Sequence, residues 1–254
     1  MSEVINKKVL IFDLDGTLAE SKQQLSEEMS DLLEELITRG YILAVISGGS
    51  YEQFNNQFIS SLGFLPAHYE SLFILPTSGA SLYKYNLNKW IKIYSHDLNG
   101  DEKNKIIKIL EKAVKDSGYW IESSAGTLIE DRDTQISYSG LGQQASIKDK
   151  KEWDPDQNKR KQIIEKIKEE LSGFDIKMGG MTTIDITKKG INKALGIKEL
   201  SKLLNISVND MVFIGDALYP GGNDESARDS GIDCVFVEGV EDTKRYIKEL
   251  LNKN

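Results

Sequence analysis

The sequence predicts an α/β fold: a doubly wound parallel sheet interrupted by an inserted α+β module. Three observations carry that expectation. Continuous apolar runs at residues 9–12, 41–46 and 211–214 have the length and saturation of strands covered on both faces. Helical spacing of apolar residues separates the first two runs, which is the strand–helix–strand rhythm of parallel crossovers. Between about residues 84 and 187 the pattern changes to short alternating strands and lysine-rich helices, and then the first pattern returns.

Taken in order, Val9 to Phe12 is the first buried strand. Ser26-Glu27-Glu28 supplies a capping hydroxyl and two first-turn acids, and Met29, Leu32, Leu33, Leu36 and Ile37 recur at helical spacing until Gly40. Residues 41–46 form the second strand and residues 73–75 a third. In the middle, residues 90–94, 127–129, 135–138 and 183–186 alternate as the strands of an antiparallel sheet with one covered face. A helix is expected over about 101–116. A second is expected from Asp154-Pro155, a cap residue followed by a first-turn proline. Residues 192–204 are helical, 211–214 and 234–237 are strands, and a last helix covers about 241–252. The expected domains are a core of residues 1–83 and 188–254 and an inserted module of residues 84–187.

The 254 residues carry a net charge of −8, which argues against a nucleic-acid partner, whose phosphates demand a basic face. Small anionic substrates remain compatible, because a bound cation and local lysines can reverse the field inside a cleft. The single cysteine, Cys234, excludes an intrachain disulfide and reads as a buried, inert thiol of a core strand. His68 and His96 fall outside any motif and are assigned surface or loop roles. No apolar run approaches membrane-spanning length, and the first residues lack a secretory signal's apolar stretch. The expectation is a cytoplasmic protein with no membrane partner.

Four short segments fall at strand ends or helix starts. The first strand ends in Asp13-Leu14-Asp15-Gly16-Thr17-Leu18, where alternate positions place both carboxylates on one side of the strand's carboxyl end. A lone pair of acids so spaced would cap a helix or make an Asx turn. Two acids at the edge where open sheets bind ligands call for a cation, which a phosphate dianion also needs if a carboxylate is to approach it. Ser47-Gly48-Gly49-Ser50 follows the second strand. By itself it is a turn; at that edge, the Ser47 hydroxyl and Gly48 N–H suit phosphoryl oxygens. Lys193 opens the helix after the insertion and would neutralise phosphate and carboxylate together, although Lys188 and Lys189 nearby make a solvated face the competing reading. Finally, Phe213-Ile214-Gly215-Asp216 delivers another carboxylate, followed by Pro220-Gly221-Gly222-Asn223-Asp224. Oxygen donors of this kind suit Mg²⁺, with Asp216 as a direct ligand and Asn223 and Asp224 in its outer shell.

These segments resemble the motifs of the haloacid dehalogenase (HAD) superfamily, whose members transfer phosphoryl groups through an aspartyl-phosphate. The resemblance implies that Asp13 is the nucleophile and Asp15 the general acid/base, that Asp15 also lends its backbone carbonyl to Mg²⁺, and that the run around Lys193 (Lys-Gly-Ile-Asn-Lys-Ala-Leu-Gly-Ile) is the third superfamily motif. An insertion between the second and third motifs matches a type IIB, or C2, cap. More narrowly, Gly215 to Asp224, Gly179-Gly180-Met181-Thr182-Thr183-Ile184-Asp185 and Gly126 to Arg132 are similar to segments of the α-phosphomannomutases of this superfamily, over nearly the whole chain.

That narrower resemblance places a sugar-phosphate clamp on Lys22, Arg132, Gln143, Lys150, Thr183 and Asp185, and, through an apolar cap surface, a homodimer. The family has arginine at four of these positions, and this chain keeps only Arg132. Lysine at 22 and 150 preserves charge but loses the bidentate fork, and Gln143 loses the charge. The expected function is therefore Mg²⁺-dependent phosphotransfer on hexose phosphates, interconverting the 6- and 1-phosphates of mannose or glucose. The alternative is hydrolysis of a hexose phosphate by the same core. A non-catalytic binding protein would not need all four motifs.

Overall fold

The computed structural model describes residues 7–253, which form two compact units: one from the residues up to Ser95 together with those from Asn192 onward, the other from His96 to Ile191.

The first unit is built on a seven-stranded sheet. Its strands are β1 (Val9–Phe12), β2 (Ile42–Ile46), β3 (Leu72–Leu75), β4 (Ser81–Asn86), β5 (Lys89–Ser95), β10 (Met211–Gly215) and β11 (Asp233–Phe236), in the order β11-β10-β1-β2-β3-β4-β5. Neighbours from β11 to β3 are parallel, while β4 and β5 add an antiparallel hairpin. The alternation of β1 explains why the sheet is covered on both sides. Leu10 and Phe12 pack with Leu33 and Leu36 of the Glu27–Thr38 helix and with Ile247 of the Val240–Leu251 helix. Val9 and Ile11 turn the other way, onto Ile197 and Leu200 of the Lys193–Leu204 helix. All four are fully buried, worth roughly 1.5–3 kcal/mol each against exposure. From β1 the chain winds outward through β2 and β3, then returns to place β10 on the opposite side of β1. The strand order therefore reverses between β1 and β10, and open sheets bind ligands in the crevice at such a reversal, beyond the carboxyl ends of the strands.

The second unit is a four-stranded antiparallel sheet in the order β6-β7-β9-β8, with β6 Ile129–Asp131, β7 Gln135–Ser139, β8 Phe174–Gly179 and β9 Thr183–Lys188. Ile136, Tyr138, Ile184 and Ile186 face the helices Gly100–Asp116 and Asn158–Ile167, whose Ile106, Leu110 and Ile163 complete its core. One face is thus apolar and helix-covered, as the alternation requires.

Three sequence expectations need correction. The alternating strand at 90–94 lies in the core sheet: paired to β4, it extends that sheet antiparallel. The compact units accordingly divide at 95/96 and 191/192 instead of 83/84 and 187/188. Alternation reports one covered face, and an edge hairpin meets that condition as well as a separate module does. The helix expected from Pro155 starts at Asn158, after another helix over Ile147–Trp153. Asp154 still serves that start, accepting the Lys159 N–H at 2.9 Å and the Arg160 Nε at 2.7 Å. Cys234 lies on the sheet-edge strand β11 and is half-buried, with burial pushing its thiol up from the usual range. His68 is half-buried, with its Nδ1 2.8 Å from Glu34. Among the described residues no helix is long and apolar enough to cross a membrane.

Candidate active site

Asp13, directly after β1, is 1% exposed, and Lys193, the first residue of its helix, is equally buried. The Lys193 ammonium donates to Asp13 Oδ1 and to Asp224 Oδ1, so one buried cation bridges two buried carboxylates. Asn192 fixes where that helix begins, its side chain accepting the Leu195 N–H at 3.0 Å. Burial alone would pull the Lys193 ammonium down, but Asp13 and Asp224 outweigh it and hold the group above its ordinary value. Asp13 shows the opposite balance. Burial pushes it up to about 7 despite Lys193, with Asp224 and Asp15 adding repulsion.

Asp13 Oδ2 is buried and lacks a hydrogen-bond partner among the described residues. Such an orphan is costly unless something of opposite charge meets it. Donor oxygens of Asp13, Asp216 and Asp224 lie within 4.8 Å of one another, a hard-oxygen set that fits Mg²⁺. Asp216, directly after β10, is half-buried and raised by burial and by Asp224, while the Thr17 hydroxyl donates to its Oδ1 at 3.3 Å. Asp224 Oδ2 accepts the Ala217 N–H at 3.0 Å. Gly16 makes the approach possible: it has φ +86°, and a Cβ there would stand 2.5 Å from Asp216 Oδ2.

Asp15 points elsewhere. Its Oδ1 accepts the Lys22 N–H at 2.8 Å and the Gln57 Nε2–H at 2.9 Å, so its carboxylate lies outside the three-acid cluster. Gln57 is itself oriented by Gln53, whose Nε2 donates to Gln57 Oε1 at 3.2 Å. This buried glutamine escaped the sequence reading. Its only trace was a polar residue on the apolar stripe of the helix after Ser50, one turn beyond Phe54. Ser47 is buried beyond the end of β2, its hydroxyl accepting the Gly49 N–H at 3.3 Å, and Gly48 is half-buried beside it. Asn223 is exposed, and Asp224, expected in an outer shell, contacts Lys193 directly.

Lys22 is exposed in the first unit and adopts φ +60°, a turn that aims its N–H at Asp15. The second unit holds the remaining expected clamp residues. Cross-strand pairing aligns Glu130, Ser137, Asp185 and Lys177 in one row on the polar face of its sheet. Ser137 donates to Asp185 Oδ1 at 2.5 Å, and Arg132 Nε and NH2 both bond Glu130 Oε2, at 2.9 and 2.7 Å. Thr183 begins β9 two residues before Asp185. Lys150 is buried and donates to the Gln143 carbonyl at 2.9 Å, while the Gln143 Nε2 is buried without a partner among the described residues.

A buried carboxylate, a bridging lysine and a three-acid oxygen cluster at the reversal of a parallel sheet suit phosphoryl transfer. Residues 10–224 match the family model of haloacid dehalogenase-like hydrolases, and the chain belongs to that family. It is similar to a phosphomannomutase of Babesia bovis, 25% identical over 98% of this chain and 99% of the relative. A probable phosphomannomutase of Caenorhabditis elegans is 26% identical over 99% of this chain and 98% of its own length. An IMP-bound IMP-nucleotidase of Plasmodium falciparum shares the fold, with a TM-score of 0.70 and 18% identity over 98% of this chain and 70% of that one.

Proposed function

We propose that the protein is a Mg²⁺-dependent phosphotransferase acting on hexose phosphates through an aspartyl-phosphate on Asp13, in the manner of the phosphomannomutases it resembles. The observation that carries the reading is the buried Asp13 carboxylate, with one oxygen on Lys193 and the other unpartnered among the described residues, in an acid cluster shared with Asp216 and Asp224. Asp13 and Asp216, with the backbone carbonyl of Asp15, would hold the metal. When bound, Mg²⁺ supplies the charge neutralisation that lets two anions meet.

Asp13 attacks phosphorus, a new Oδ–P bond forms, and the bond from phosphorus to the sugar oxygen breaks. Asp15, held by Lys22 and Gln57, gives its proton to that departing oxygen and later takes one from the acceptor hydroxyl. Lys193 balances charge on Asp13 and the phosphoryl group, and the Ser47 hydroxyl and Gly48 N–H hold phosphoryl oxygens. In the mutase reading the acceptor is a second sugar hydroxyl, and the resemblance assigns sugar-phosphate recognition to Arg132, Lys150, Thr183 and Asp185 of the second unit.

A phosphatase reading, with water as the acceptor, is favoured by one feature of the cap. Gln143 carries no charge where the resemblance expects arginine, and Lys150 is engaged with its carbonyl. Incubation with mannose 1-phosphate, with and without a hexose bisphosphate primer, separates the two. Primer-dependent appearance of the 6-phosphate supports the mutase; release of free phosphate alone removes it in favour of the hydrolase. The absence of both products over a panel of hexose phosphates would remove the substrate class.

A further inference from the structure

The turn that follows β3, Pro76-Thr77-Ser78-Gly79, holds its backbone in an unusual conformation. Thr77 (φ 48°, ψ 50°), Ser78 (φ 57°, ψ 32°) and Gly79 (φ 86°) are three successive left-handed residues, and the first is β-branched. A left-handed β-branched residue is an outlier that persists only where its surroundings enforce it. Here they do. The Thr77 N–H donates to the Gly49 carbonyl and the Ser78 N–H to the Ser47 carbonyl, both at 2.8 Å, so the turn is laced to the Ser47–Gly49 loop. On its other side, a Cβ at Gly79 would stand 2.7 Å from the Cα of Gly196, one turn along the helix that Lys193 opens. The Tyr94 hydroxyl donates to the Gly79 carbonyl at 2.8 Å.

This lacing turns one hydroxyl toward the loop. Ser78 Oγ is the nearest atom to the open side of Gly48, 3.8 Å from where a Cβ on that glycine would sit. It is half-buried and has no hydrogen-bond partner among the described residues. We propose that Ser78 is a further phosphate-binding residue, its hydroxyl donating to the phosphoryl oxygen that reaches Gly48. The strain at Ser78 is then the means by which a group distant in sequence is brought over the loop. This inference rests on the Ser47–Gly49 loop as the phosphoryl site.

Binding of inorganic phosphate to the Mg²⁺-loaded protein, by titration calorimetry, tests it in three variants alongside their thermal midpoints. Ser78→Gly removes the hydroxyl but relieves the left-handed backbone. It should raise the midpoint or leave it unchanged while weakening phosphate about tenfold or more, the scale of one hydrogen bond to a charged group. Ser78→Ala keeps the left-handed backbone as it is and should weaken phosphate equally with little change in the midpoint. Phosphate affinity retained in Ser78→Gly and lost only in Ser78→Ala would overturn the proposal, leaving Ser78 as backbone support. Ser47→Ala keeps the two readings apart. If it leaves phosphate binding unchanged, the loop itself has been misassigned; if it weakens binding and Ser78→Gly does not, only the Ser78 proposal falls.

Discussion

Replacing Lys193 by methionine would remove the one cation between two buried carboxylates while keeping a stem of similar length against the Phe213 ring, 5.4 Å from the ammonium. All three charged side chains are no more than 1% exposed. At contact distance and an effective dielectric near 20, each ion pair is worth about 5 kcal/mol before desolvation. Desolvation of the lysine cancels much of that, and breaking a buried pair has a net cost of about 3–5 kcal/mol. The expected loss at pH 7.5 in EDTA is about 4 kcal/mol, a fall of about 10 °C in thermal midpoint for a chain of this size. Acidification should narrow the gap. Without Lys193 the Asp13 pKa rises further above its unfolded value, so its favourable contribution is complete at low pH and is lost as pH rises through the folded value. Thermal melts of variant and parent at pH 7.5 and 5 therefore test the reasoning. A loss below about 1 kcal/mol at pH 7.5, or a gap that widens on acidification, would refute the bridged arrangement.

Asp13→Asn should abolish turnover of any phosphate ester; activity retained above about a thousandth, measured by phosphate release and sugar-phosphate chromatography, would exclude the aspartyl-phosphate route. Metal-free parent protein should lose a few kcal/mol of stability as pH rises from about 4 to about 7, because Asp13 binds its proton more tightly folded than unfolded; Mg²⁺ should flatten that slope in urea melts. Gly79→Ala forces a Cβ onto the backbone of Gly196 at a left-handed φ and should cost about 3 kcal/mol or more, visible as a drop in midpoint. Arg132→Ala should raise KM for a hexose phosphate with little change in kcat, and unchanged kinetics would remove Arg132 from the substrate site.

Much of the core was legible because its signals are local. The saturation of β1, β2 and β10 reported two covered faces, and strand ends placed Asp13, Ser47 and Asp216 at one edge. Lys193 was legible from its place near a helix start. The hairpin of β4 and β5 was misread because alternation reports one covered face without naming the body that covers it. Gln57 was missed because its role exists only once its helix is docked beside Asp15, 42 residues away in sequence. The contact of Asp224 with Lys193 was not legible for a similar reason, since it spans 31 residues and a glycine-rich loop.

The opening carboxylates illustrate the division. Residue spacing alone determined that Asp13 and Asp15 leave the strand on one side. Tertiary structure separated their fates. Asp13 was drawn into a buried cluster with Lys193, Asp216 and Asp224, where burial raises its pKa. Asp15 was turned onto Lys22 and Gln57, away from those acids. A periodic pattern fixes the direction in which a side chain starts, because that follows from backbone geometry. Its charge state and partners depend on groups brought from elsewhere in the chain, and only packing brings them.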